Sequence, residues 1–178
     1  MSTRSFVGVT VGDDWRGRYV HSDGYPTGML PKLLTFVQRD GVEPTLHALT
    51  VDRYGWSCLD EHTPNIAGFV PDSSADYRSP AHTAAQFAPG GWCGDGRFAC
   101  VAGYGTAYTT VDGQSSPDEW VTPNNTWGTE WGYLLNHGSI TVLAEQGSRF
   151  RVVGTIPIST DPGDTEVFVA LERQGASV

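Results

Sequence analysis

Polar and apolar residues follow clear rhythms at the two ends of this chain and lose them in between. Ser5-Phe6-Val7-Gly8-Val9-Thr10-Val11 is rich in β-branched and aromatic residues, Gly12-Asp13-Asp14 is a turn signal, and strand character resumes from Trp15 to His21. Together they predict an N-terminal hairpin. Side chains alternate along a strand, so Arg16, Arg18 and Val20 share one face while Tyr19 and His21 share the other. Leu30, Leu33, Leu34 and Val37 then recur at helical spacing, with Thr27 as N-cap, Pro31 tolerated in the first turn and Gly41 as the stop. A shorter helix opens at Glu43-Pro44 and carries Leu46 and Leu49.

From Asp52 to about Pro89 the periodicity fades, punctuated by Pro64, Pro71, Pro80 and Pro89, and only 81–87 reads briefly as helix. Residues 52–97 are therefore expected to be a loop-rich insertion within a single domain spanning 1–178. The tract Gly90-Gly91-Trp92-Cys93-Gly94-Asp95-Gly96 reads as a hairpin tip or a lid. Strand character returns over 98–110, where Gly103-Tyr104-Gly105 marks a bulge or bend, and a polar loop follows over 112–128. Further strands are expected at 130–135, 140–144, 150–158 and 167–172, with turns at His137-Gly138 and Gln146-Gly147-Ser148. The predicted fold is α+β: a mainly antiparallel sheet with one principal helix after the second strand and an irregular central insertion.

Composition narrows the function classes. The 178 residues are 39% hydrophobic and include six tryptophans, which fits a packed globule. A net charge of −9 argues against a sequence-independent grip on nucleic acid or an anionic membrane. No apolar run is long enough to span a bilayer and no signal-peptide core precedes the first strand. Three cysteines without a CxxC pair suit a reducing cytoplasm. Cys93 and Cys100 can approach each other across a tight turn, but free buried thiols are the simpler reading.

The segment Arg18-Tyr19-Val20-His21-Ser22-Asp23-Gly24-Tyr25-Pro26-Thr27-Gly28 concentrates the chemistry. A strand, a short turn and a helix N-terminus follow one another, which aims backbone N–H groups at whatever occupies the turn. On a continuous strand His21 and Asp23 point the same way, as an acid–base pair or two ligands. Arg18, Tyr19, His21, Asp23 and Tyr25 are the candidate binding residues for a small molecule or a partner protein. The plainer alternative is that Asp23 caps the turn through its own backbone and His21 supports Tyr25. Cys58, Asp60 and His62, with His47 or His82, are close in sequence, but their spacing is not that of a structural zinc site, and neither a metal nor a cofactor is expected. Gly103-Tyr104-Gly105 lacks the third glycine and following helix of a nucleotide loop, and no nucleophile elbow, Walker motif or HExxH is present.

Met1-x-Thr3-Arg4, a short strand, then Tyr19-x-His21-x-Asp23-x-Tyr25-Pro26-x-Gly28 resembles a family of small uncharacterised proteins of phages, prophages and bacteria. That pattern prefers glycine where this chain has Ser5 and often serine where it has Gly24. Glu130-Trp131-Gly132-Tyr133-Leu134 is similar to the family's C-terminal half. The resemblance implies no reaction. It implies an accessory protein, phage- or prophage-encoded, acting in the host cytoplasm on a host protein or a small molecule, and the Gly-, Asp- and Trp-rich composition fits an actinobacterial host or its phage. An acidic, aromatic-rich face suits a basic partner. The rival expectation is an N-terminal-nucleophile amide hydrolase: removal of Met1 exposes Ser2, whose α-amine activates its hydroxyl, with Arg18 and Asp23 at a similar remove to the Arg and Asp of the choloylglycine-hydrolase group.

Overall fold

The N-terminal run folds back on itself around Gly12, whose φ of 62° suits glycine. This makes β1 (Ser5–Val11) and β2 (Asp14–Val20), antiparallel and in register from Ser5↔Val20 to Val11↔Asp14. The computed structural model describes residues 3–51, 54–63, 98–108 and 120–176. Within them lie six more strands: β3 (Gly55–Leu59), β4 (Phe98–Val101), β5 (Gly105–Tyr108), β6 (Trp131–Leu135), β7 (Ser139–Gln146) and β8 (Arg149–Pro157). The helices are α1 (Pro26–Asp40), α2 (Val42–Thr50) and α3 (Thr165–Ala176). All eight strands join one sheet in the order β4-β5-β3-β2-β1-β6-β7-β8.

The expected mainly antiparallel sheet with a single principal helix is corrected in two respects. The sheet is mixed, because the two junctions that flank the central β1–β2 pair, β1 with β6 and β2 with β3, are parallel. Local patterning identifies strands but not their neighbours, and β1 pairs with a segment more than a hundred residues away. The helix after β2 is one of three among the described residues, and the sheet dominates. The segment expected as a strand at 167–172 is helical. Its Val167-Phe168-Val169 run favours β structure, but Phe168 and Leu171, three apart, turn the same stripe into the core and prevail. β3 also falls within the stretch that showed no periodicity.

Alternation along the strands sorts residues onto two faces. Val7, Val20, Trp56, Tyr133, Ile140 and Val142 face the helices, where they meet Met29, Leu30, Leu33, Leu34 and Phe36 of α1, Leu49 of α2 and Phe168 of α3. Phe6, Leu134 and Leu143 face the other way, packing with Val121, Trp15, Tyr19 and Phe150. Gly132 matters on this second face: a Cβ there would lie 2.2 Å from the Phe6 ring, so only hydrogen fits. Residues 120–125 lie alongside β2 through paired backbone hydrogen bonds of 2.9 Å between Gly17 and Val121.

Candidate functional site

The first strand pair fixes which groups meet. Val7 pairs with Arg18 and Phe6 with Tyr19, so Arg18 lies on the helical face and Tyr19 on the other, as alternation requires. Arg18 is buried at 2% exposure, its Nε donating to the Thr50 carbonyl at 3.1 Å and its guanidinium stacked 3.7 Å from the Trp120 ring. The C-terminal end of α2 and an aromatic face are good surroundings for a buried cation. Arg18 thus ties α2 and residue 120 to the sheet.

Tyr19 and His21 remain together. The phenol oxygen and the imidazole Nδ1 are 2.9 Å apart, with ring centroids at 6.0 Å. When the phenol donates, the imidazole proton sits on Nε2, which then also donates. Burial raises the Tyr19 pKa while the nearby Arg4 guanidinium opposes the shift, so the phenol stays neutral and a donor.

Beyond His21 the strand ends, and alternation with it. Asp23 adopts a left-handed backbone (φ 56°), and its carboxylate pairs with Lys32 Nζ at 3.4 Å on the exposed surface. His21 and Asp23 are therefore not two successive residues of one strand face. Tyr25 precedes α1 in an extended conformation and packs against the helical-side core. Of the five candidate binding residues the fold joins Tyr19 with His21; it commits Arg18 and Tyr25 to the helical side and Asp23 to Lys32. Of the three hydrolase candidates, Ser2 lies outside the described residues.

The N-terminus of α1 is already occupied. Thr27 is not the N-cap but sits in the first turn, its hydroxyl donating to Glu172 Oε2 at 2.9 Å and its backbone N–H reaching the same oxygen at 3.4 Å. The carboxylate of α3 thus takes the place that an anionic ligand would occupy there.

Two groups join Tyr19 and His21 that sequence reasoning overlooked. Tyr108 of β5 lies across Gly55 from Tyr19: a Cβ on Gly55 would be 3.4 Å from Tyr19 Cβ and 3.6 Å from Tyr108 Cδ2. Burial raises the Tyr108 pKa, Tyr19 adds to it, and a hydrogen bond with Ser57 opposes. Arg4, exposed beside Gly128, supplies the cation. The only advance signal was that Tyr108 falls within the expected 98–110 strand; Ser57 lay in the expected loop-rich insertion, and their meeting depends on β3 lying between β2 and β5. Chemically the cluster offers hydrogen-bond donors, namely the imidazole Nε2–H, the Tyr108 phenol and the Arg4 guanidinium, while the Tyr19 proton goes to His21 Nδ1 and sets that tautomer.

Asp60 accepts the backbone N–H of His62 at 3.0 Å, a turn cap, and among the described residues no three His, Cys, Asp or Glu side chains gather as metal ligands. His82, Cys93, the 81–87 segment and the Gly90 to Gly96 tract lie outside the described residues. No helix among them is long and apolar enough to cross a membrane. Compared with protein-family models, with curated proteins and with solved structures, the chain matches none.

Proposed function

We propose that the protein is a binding protein whose ligand is small and carries an acceptor group, a carboxylate or phosphate, beside a flat apolar part. The observation that carries this reading is the hydrogen-bonded Tyr19–His21 pair on the sheet face away from the helices. With Tyr108 and Arg4 nearby, the donors outnumber the acceptors, and the phenol rings offer flat surface to the apolar part. The chain's negative charge does not preclude an anion, because screening limits distant charges to about 8 Å at physiological salt. A carrier or sensor of this kind fits an accessory protein of phage or prophage acting in a host cytoplasm, which is the setting proposed from the N-terminal resemblance. The same cluster is also the proposed contact for a host protein presenting an acidic side chain.

Calorimetric titration with phenyl phosphate and benzoate tests the reading. Saturable binding is expected, weakened about tenfold by His21→Ala or Tyr19→Phe, the equivalent of about one charge-assisted hydrogen bond. Binding that neither substitution changes overturns it. The N-terminal-hydrolase alternative is settled separately: retained Met1 in the intact mass, or amide hydrolysis that survives Ser2→Ala, ends it.

A further inference from the structure

We propose that a second site, independent of the Tyr19–His21 cluster, lies on the same sheet face and takes a neutral carbohydrate. A groove of about 540 Å³ runs there across the first two and the last three strands in sequence, within the range of about 300–1,000 Å³ typical of small-ligand sites. Its aromatic wall is fixed in place. The Trp15 indole stacks on Phe6 at 4.2 Å and 10°, and Phe150 meets it edge-on at 5.4 Å and 78°. Such a plate gives apolar contact with little rotamer entropy to lose.

Leu134, Leu143 and Val152 continue the apolar floor along the strands, and the charged and amide groups at its rim come from three separate turns. Asp13 and Asp14 follow β1, Asn124 belongs to the turn closed by Thr122 and Asn125, and Arg149 opens β8. All four are exposed. Carboxylates only accept, a guanidinium only donates, and an amide does both. Vicinal hydroxyls, each donor and acceptor, complement that set, while the C–H face of a pyranose ring suits the indole. The charges discriminate against the alternatives. Two carboxylates against one guanidinium on a chain of net charge −9 repel a polyanion. An acyl chain would bury Asp13, Asp14 and Arg149 against hydrocarbon without partners.

Tryptophan fluorescence and calorimetry with cellohexaose, chitohexaose and mannohexaose test the proposal. At least one is expected to saturate with a Kd of about 0.1–1 mM. Arg149→Ala and Asn124→Ala, both at exposed positions, should each weaken it about tenfold, as loss of a ligand hydrogen bond does, with the melting midpoint kept. His21→Ala should leave it unchanged, which separates this site from the first. Trp15→Phe should remove the fluorescence response. The proposal is overturned if none of the three sugars binds at about 5 mM. It is equally overturned if binding persists in both exposed-residue variants, or if a tryptic peptide mixture occupies the groove in place of the sugars.

Discussion

Tyr19 and His21 are half-buried rather than sealed, so their contribution to stability and to binding can be separated. His21→Ala removes the hydrogen bond with Tyr19 at a partly exposed position and is expected to lower stability by no more than about 1 kcal/mol. Urea unfolding checks this; a loss of several kcal/mol would make the imidazole structural. Arg18 is the contrast. Its buried guanidinium holds the end of α2, so its removal is a folding defect rather than a binding one. The faces of Arg18, Tyr19 and His21 were legible in the sequence because strand alternation is a local property. Asp23 was not, because a single left-handed residue interrupts the period, and nothing but the backbone angle records it.

At the scale of elements, two long-range ties hold the start of α1. Glu172 of α3 caps it from across the chain, and Tyr133 of β6 donates to the Gly24 carbonyl at 2.8 Å. Glu172→Ala is expected to cost about 1 kcal/mol in chemical unfolding, the usual value of a helix cap. An unchanged midpoint would show that the first turn of α1 does not need the carboxylate. Tyr133→Phe leaves a buried carbonyl without its phenolic donor and should cost about 1–3 kcal/mol at neutral pH. Burial, with Glu172 second, raises the Tyr133 pKa well above its ordinary 10.0. A raised value means the unfolded chain gives up its proton first. The phenol's contribution is therefore complete below pH 10.0 and declines as pH rises above it. Tyr133→Phe should flatten that alkaline decline; a decline of the same slope in the variant would refute the assignment. α1 was legible from its leucines, whereas α3 was masked by β-branched residues whose burial only the packed sheet decides.

Across the whole molecule, a staple joins the far end of α1 to the β4–β5 hairpin. Arg39 chelates Asp40 and donates to the Gly103 carbonyl at 3.1 Å, and the Tyr104 hydroxyl donates to the same carboxylate. Hydrogen bonds from Arg39 hold the Asp40 carboxyl below its ordinary 3.8, with burial opposing and Tyr104 assisting. For a depressed carboxyl the contribution is present above pH 3.8 and lost as pH falls through the folded value. Asp40→Asn should therefore remove a small part, at most about 1 kcal/mol at this surface position, of the stability lost below that pH. Identical acid limbs for the two proteins would contradict this. The β6–β7–β8 meander was readable from turns and spacing, yet the parallel joins at β1 and β2 were not, because pairing between distant strands leaves no local trace. The donor cluster was hidden for the same reason: Tyr108 reaches Tyr19 only through the strand order.

The most direct check of that cluster is the proton NMR of the His21 and Tyr108 rings as phenyl phosphate is added to the intact protein. Both rings are expected to shift together and saturate along one binding curve, with Tyr19→Phe weakening the curve. Rings that stay fixed while resonances elsewhere move, or a curve indifferent to Tyr19, would contradict it.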